Sequence, residues 1–380
     1  MRLAAGDLFE LHRALVACRS IAGEEAEIVE LLFAWLAGRG ARVERVGGSL
    51  LAWAGADAGT APLVVFDTHV DTVPPAPGWT ADPWAATRVE GPDGVRVVGL
   101  GANDAKAAVA AMAVALAGAP ELDLPFALAL ALARGEETRG EGSAEVVAEL
   151  ARRGLAPVAA VVGEPTGLDV AVAQKGLTVL ELTARGEAAH AAHARALDAP
   201  NAIAALALDL VALAGVDLGP EDPLLGRATL EPTMVVGGSA RNVVPAEARA
   251  VLDLRTVPGE TPEALVARLS AAVGGELRVV SDRFRPLATD AGASLVAASL
   301  RARPAARLYG SATLSDLVFF RGLPAVKVGP GRSERSHRAD EFVLETELAE
   351  GAAFYERLLV ELAEEARAGR LVTPAVAVAR

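Results

Sequence analysis

The chain has 380 residues, 52% of them hydrophobic, with 36 Lys and Arg against 49 Asp and Glu, for a formal charge of −13. That length can bury a large core and suggests two or three domains, whereas the negative balance, with no Lys/Arg stripe interleaved with aromatics, argues against nucleic acid as a partner. No run offers about 18 uncharged apolar residues, so no membrane span is expected; the charges inside MRLAAGDLFELHRALVACRS spoil a signal-peptide core, leaving the expectation of a cytoplasmic protein. One cysteine, Cys18, rules out an internal disulfide and leaves any metal to His, Asp and Glu.

Leu8, Leu11, Leu15, Val29, Leu32 and Leu36 recur at helical spacing, interrupted near residues 20–23, which predicts two opening helices. Next come an apolar run at 62–67, an alanine-rich helix at 105–118, PFALALALA at 125–133, a helix at 142–153 and a buried run at 158–164. Strands alternating with helices predict a mostly parallel mixed sheet with helices on both faces. Between 174 and 287 the order becomes strand (177–185), helix (200–214), strand (228–236), strand (242–256), helix (261–273), strand (276–283). That β-α-β-β-α-β order is ferredoxin-like and reads as an inserted domain, with residues 1–173 and 288–380 forming a two-segment catalytic domain. PAVKVGPG at 324–331 reads as a last buried strand running into a glycine turn, and the end of the chain, from residue 368, as a loosely held tail.

Candidate ligands follow these strands: His69 and Asp71 in FDTHVDT, Glu136 and Glu137, Glu164, and His337. In an open α/β sheet, side chains at the carboxyl ends of parallel strands meet in one crevice. Taken singly, each has a plainer reading. His69 and Asp71 also suit an Asp turn beside a surface histidine, Asp104 suits a helix N-cap, and Glu136-Glu137 suit a solvated acidic turn. If the pair continues the strand, its two side chains project oppositely, one toward a metal and one toward substrate. Taken together, two histidines and several carboxylates without a thiolate suit a hydrolytic pair of zinc ions.

In the order HVDTVP, GANDAK, GEETRGEGS, GEPTG and GPGRSERSHRADEF, the chain resembles the di-zinc amidohydrolases and exopeptidases that include acetylornithine deacetylase and succinyl-diaminopimelate desuccinylase. The likeness runs over nearly the whole chain. It implies two Zn2+ per subunit, with Co2+ or Mn2+ as substitutes: His69 and Glu164 on one ion, Glu137 and His337 on the other, Asp104 bridging. It further implies that Asp71 orients His69 and that Glu136 is the general base. In the inserted domain it implies a homodimer in which His190, in GEAAHAAHARALDAPNAI, reaches across to the oxyanion. Asn242, Arg255, Gly310 and Ser311 become substrate-side residues, Arg255 as a carboxylate clamp. His193 and His12 have no matching role and read as ordinary exposed histidines. Three features depart from the family pattern: Lys106 is flanked by Ala105 and Ala107, two alanines follow His190, and Gly135 replaces an acidic residue.

The expected function is hydrolysis of an N-acyl amino acid, with acetylornithine of arginine biosynthesis as first substrate. A succinyl-diaminopimelate desuccinylase, or a broader aminoacylase or dipeptidase, is the alternative. A non-catalytic binding protein would lack the base or a ligand, and none is missing; a purely structural α/β protein would need all five motifs to be turns.

Overall fold

The computed structural model describes residues 5–372. The chain forms two compact units: one comprising the chain up to Val172, Thr289–Tyr309 and the chain from Ser315 onward, the other Ala173–Ala288 with Gly310–Leu314. The grouping of 310–314 with the second unit was not legible in the sequence. Gly310 lies so close to the Leu224 backbone that a Cβ there would meet the Leu224 carbonyl oxygen at 2.6 Å.

In the first unit the strands Ala127–Ala133, Leu63–His69, Pro157–Val162 and Ala325–Lys327 lie side by side and parallel. An antiparallel hairpin, Arg42–Val46 with Ser49–Gly55, extends this sheet beyond Ala127–Ala133. The hairpin escaped the sequence reading, as did a second one, Thr87–Gly91 with Gly94–Val98, which the strand Phe342–Leu344 joins. In the strand ALALALA, Leu128, Leu130 and Leu132 enter the large core shared with the helices Ala5–Ala17, Ala26–Ala37, Lys106–Gly118 and Glu345–Arg367. Each such leucine contributes about 1.5–3 kcal/mol of burial. The alternate alanines leave room on the other face, where the helix Glu141–Arg152 packs on this strand. The helix Lys106–Gly118 is buried nearly all round, which its alanines permit and a solvent-facing helix would not require.

Among the described residues no helix is long and apolar enough to cross a membrane. Residues 373–380 of the expected tail lie outside the described residues; before them Leu371 is buried and Arg370 pairs with Glu365.

The second unit follows the β-α-β-β-α-β order: Gly176–Arg185, Ala202–Leu213, Thr229–Gly237, Glu247–Thr256, Pro262–Ala272 and Glu276–Phe284. Its antiparallel sheet has Thr229–Gly237 and Glu276–Phe284 at the edges. The strand expected over 242–256 is interrupted: Val243–Val244 pairs instead with Ala189–His190, and the longer strand begins only at Glu247. Pro245, which has no N–H for a ladder, sits at the break.

Candidate metal centre

His69 is the last residue of its buried strand. Its Nδ1 lies 3.0 Å from the Asp71 carbonyl oxygen and 3.6 Å from the Asp71 carboxylate. Because a carbonyl only accepts, Nδ1 carries the hydrogen and Nε2 is left as the binding nitrogen. The orientation expected of the Asp71 side chain therefore comes chiefly from its backbone. The Asp71 carboxylate acts elsewhere, accepting the Glu136 N–H on Oδ1 and the Glu137 N–H on Oδ2, both at 3.1 Å.

Those two bonds correct the expectation that Glu136-Glu137 continue an extended strand. The strand ends at Ala133, and Gly135, at φ +68°, opens a tight turn whose later N–H groups, from Arg139 and Gly140, donate to the Gly135 carbonyl at 3.0 and 2.8 Å. A left-handed backbone favours glycine, which accounts for Gly135 where the family pattern has an acid. The turn separates the two carboxylates: Glu137 meets His337, while Glu136 lies among Glu164, Asp316 and His69.

Asp104 is not the N-cap of the following helix. That helix starts at Lys106, with Ala105 at the cap position and no side-chain capping bond. The Asp104 carboxylate instead faces both histidines: Oδ1 is 3.2 Å from His69 Nε2, and Oδ2 is 3.8 Å from His337 Nε2. Glu164 Oε1 stands 3.8 Å from His69 Nε2, and Glu137 Oε1 stands 3.0 Å from His337 Nε2. Ligand atoms of His69, Asp104 and Glu137 all lie within 4.8 Å of one another.

This donor set suits divalent cations. Burial, then the neighbouring Asp104 charge, pushes the Glu164 carboxyl up to about 8. Burial and the surrounding acids likewise hold Glu136 well above the usual carboxylate range. Burial would lower His69, but its bonds to Asp104 and Asp71 and the charges of Glu136 and Glu164 outweigh it and hold the imidazole well above its usual value. His337 rises to about 9, chiefly through its bond to Glu137. Crowded carboxylates and imidazoles that take up protons in this way are groups a bound cation would satisfy.

Several residues around the centre were not singled out in the sequence. Lys327 ends the Ala325–Lys327 strand, buried; burial lowers its ammonium, while Glu164, Glu136 and Asp104 oppose that shift. Its signal was a lysine inside an otherwise apolar run. The Ser143 hydroxyl lies 2.9 Å from Asp67 Oδ2 and 2.6 Å from Asp316 Oδ2. One hydroxyl proton cannot serve both carboxylates, and burial raises Asp316 to about 6. His12, expected on the surface, is fully buried with Nε2 2.8 Å from the Ala102 carbonyl oxygen, and burial lowers its imidazole to about 4.

The remaining candidates belong to the second unit. His190 is exposed, its Nδ1 accepts the Ala192 N–H, and the Ala191 N–H donates to the Asn242 carbonyl oxygen at 2.9 Å. These two substrate-side candidates thus share one loop pair, with the exposed His193 ring 5.6 Å from that of His190. Arg255 has its Nε and Nη2 forked onto Asp253 at 2.7 and 3.0 Å. Ser311 is buried, with Oγ donating to the Thr313 carbonyl oxygen.

A family model described as peptidase family M20/M25/M40 matches residues 65–361. A succinyl-diaminopimelate desuccinylase from Phenylobacterium zucineum is 31% identical over 367 residues, covering 89% of this chain and 93% of its own. A probable carboxypeptidase from Aspergillus terreus is 33% identical over 239 residues, 59% of this chain, and the chain spans about half, 52%, of that relative. A tripeptidase from Staphylococcus aureus superposes with a TM-score of 0.79 at 21% identity, over 96% of this chain and 100% of that one. A dinuclear metal-binding M20 peptidase from Bacillus subtilis does so at 0.72 and 17%, over 95% and 98%. At such identities the two structural likenesses speak for the fold alone.

Proposed function

The chain belongs to peptidase family M20/M25/M40; on that premise we propose that it is a metal-dependent hydrolase that cleaves the amide bond of an N-acyl amino acid, with two Zn2+ held per subunit. The observation that carries this reading is the division of Asp104, one oxygen toward His69 and the other toward His337. In this reading His69 and Glu164 would hold one ion, Glu137 and His337 the other, and Asp104 would serve both. When bound, such a pair polarises the amide carbonyl and lowers the pKa of water. With that pair bound, the nearby positive charge would favour the ionised form of Glu136, whose carboxyl burial and acidic neighbours otherwise raise, and the carboxylate would take the proton of the attacking water and pass it to the leaving amine. Asp71 acts through the Glu136-Glu137 turn, whose two N–H groups it holds.

Succinylated substrates lead, because relatives named succinyl-diaminopimelate desuccinylase match over 93% and 98% of their own lengths. The acetylornithine-type substrate expected from the motifs, and with it a cytoplasmic role in arginine biosynthesis, is the competing arm of the same test. In the second unit His190 is assigned to the oxyanion across a homodimer, with Asn242, Arg255, Gly310 and Ser311 on the substrate side. The edge strand Thr229–Gly237, which exposes Met234, Val235 and Val236, supports a second copy as partner, since an apolar strand edge is completed by self-pairing.

The test is hydrolysis of succinyl-diaminopimelate, acetylornithine, acetylcitrulline and simple acetyl amino acids, with Zn2+ and after chelation, alongside metal content. Zn2+-dependent turnover of one member supports the proposal and names the acyl group. Silence across the panel with two ions bound moves the reading to peptides; silence without bound ions overturns the metal centre. Sedimentation checks the dimer, and Met234→Asp should shift the protein toward monomer.

A further inference from the structure

His337 stands in a turn just after a single-turn 3-10 helix, Ser333–Arg335, is half exposed and holds φ +59°, a backbone region uncommon for a side-chain-bearing residue. Something outside this segment must therefore set its position. Asn103, fully buried beside Asp104, binds one end: its Oδ1 accepts the Arg332 N–H at 2.8 Å, and its Nδ2 donates to the Arg332 carbonyl at 3.1 Å and to Ser336 Oγ at 3.2 Å. Glu341, 3% exposed, binds the other end. Its Oε1 accepts both the Asn103 and the Asp104 N–H at 2.9 Å, and its carbonyl accepts the Gly99 N–H at 2.9 Å.

We propose that Asn103 and Glu341 are positioning residues that latch the His337 loop to the Asp104 turn, and so govern the affinity of the ion site shared by Asp104, Glu137 and His337. The inference rests on the reading of those three as ligands. A buried carboxylate is retained only where donors meet it, and charge-assisted bonds to backbone N–H groups are the strong kind. His69 and Glu164 depend on this latch less directly, because His69 ends the strand Leu63–His69 and Glu164 follows its parallel neighbour Pro157–Val162, although Asp104 is common to both sites. Loosening it therefore acts unequally on the two sites. Neither residue is expected to touch substrate.

The experiment strips the full-length protein with chelator and titrates it with Zn2+ by calorimetry, for wild type, Glu341→Ala, Asn103→Ala and Glu341→Gln. The alanine variants should weaken one of two binding events by about 10–100-fold, the size usual for losing a group that orients a ligand, and the other, which shares only Asp104 with the latch, by less. Glu341→Gln, which keeps an acceptor oxygen, should restore both. Should Glu341→Ala fail to fold, Asn103→Ala and Glu341→Gln carry the same comparison. Two events unchanged in a folded alanine variant, or both weakened alike, would overturn the latch while leaving the metal centre intact. A wild type that binds no pair of ions would overturn the metal centre itself, and the latch with it.

Discussion

Glu136 and Glu137 are neighbours in sequence, yet their surroundings assign them different work. Glu137 is drawn to His337, while Glu136 sits among acids that raise its carboxyl. Glu136→Gln should keep the fold and the metal and lower turnover by about 10²–10⁴-fold, measured as kcat with parallel metal analysis; unchanged turnover would remove it as the base. His12 makes a separate prediction. Its imidazole titrates at about 4 in the folded chain against 6.5 when free. Above pH 6.5 both states are neutral, and below it only the unfolded chain takes up the proton, so stability is lost as pH falls from 6.5 toward 4. The loss is about 3 kcal/mol. Denaturant unfolding across that range should show a steeper decline for wild type than for His12→Gln, and equal slopes would contradict this account.

At the scale of elements, close approach decides what the composition only hints at. The helix Glu141–Arg152 starts against the end of the strand Ala127–Ala133, where a Cβ on Gly142 would lie 2.5 Å from both the backbone N and O of Arg134. Backbone atoms cannot rotate aside, so Gly142→Ala should cost about 1–3 kcal/mol in thermal or denaturant unfolding. The Asp71 clamp also belongs to this scale. Asp71→Asn leaves one acceptor oxygen for two N–H groups, and the Glu136-Glu137 turn should loosen. Turnover should then fall with little change in stability, read as kcat beside Tm.

For the molecule as a whole, the candidate centre links folding, metal and pH. His337 at about 9 and Glu164 at about 8 are both protonated at neutral pH without metal. A cation must displace those protons, so Zn2+ affinity should rise with pH up to about 9, by at most about tenfold per unit for each proton released. Calorimetry in buffers of different ionisation enthalpy counts the protons. Binding to the folded state alone also stabilises it, by about 4 kcal/mol at 1,000 times Kd, so chelation should lower Tm.

How much of this was legible follows from range. Helical spacing in Leu8, Leu11 and Leu15, the alanine run after Asp104 and the alternation in ALALALA are local signals, and the elements they predict are present because burial rewards those periods directly. The strands Arg42–Val46, Thr87–Gly91 and Gly94–Val98 carry mixed polar patterns on a sheet edge and in a small separate sheet, where burial imposes little periodicity, and they were missed together with the short apolar strand Ser49–Gly55. The ordered motifs identified which residue types meet. Their amino-acid identities are chemical facts the chain carries whatever its shape. What only the tertiary structure decided is how those groups act on each other. The Asp71 carboxylate holds a turn while its carbonyl holds the His69 ring, His12 is buried rather than exposed, Arg255 is already forked onto Asp253, and Asn103 with Glu341 fastens His337 to Asp104. Most of these contacts join positions tens to hundreds of residues apart, and even the short Arg255–Asp253 fork depends on side-chain directions, so their distances arise from packing and hydrogen bonding that no local spacing encodes.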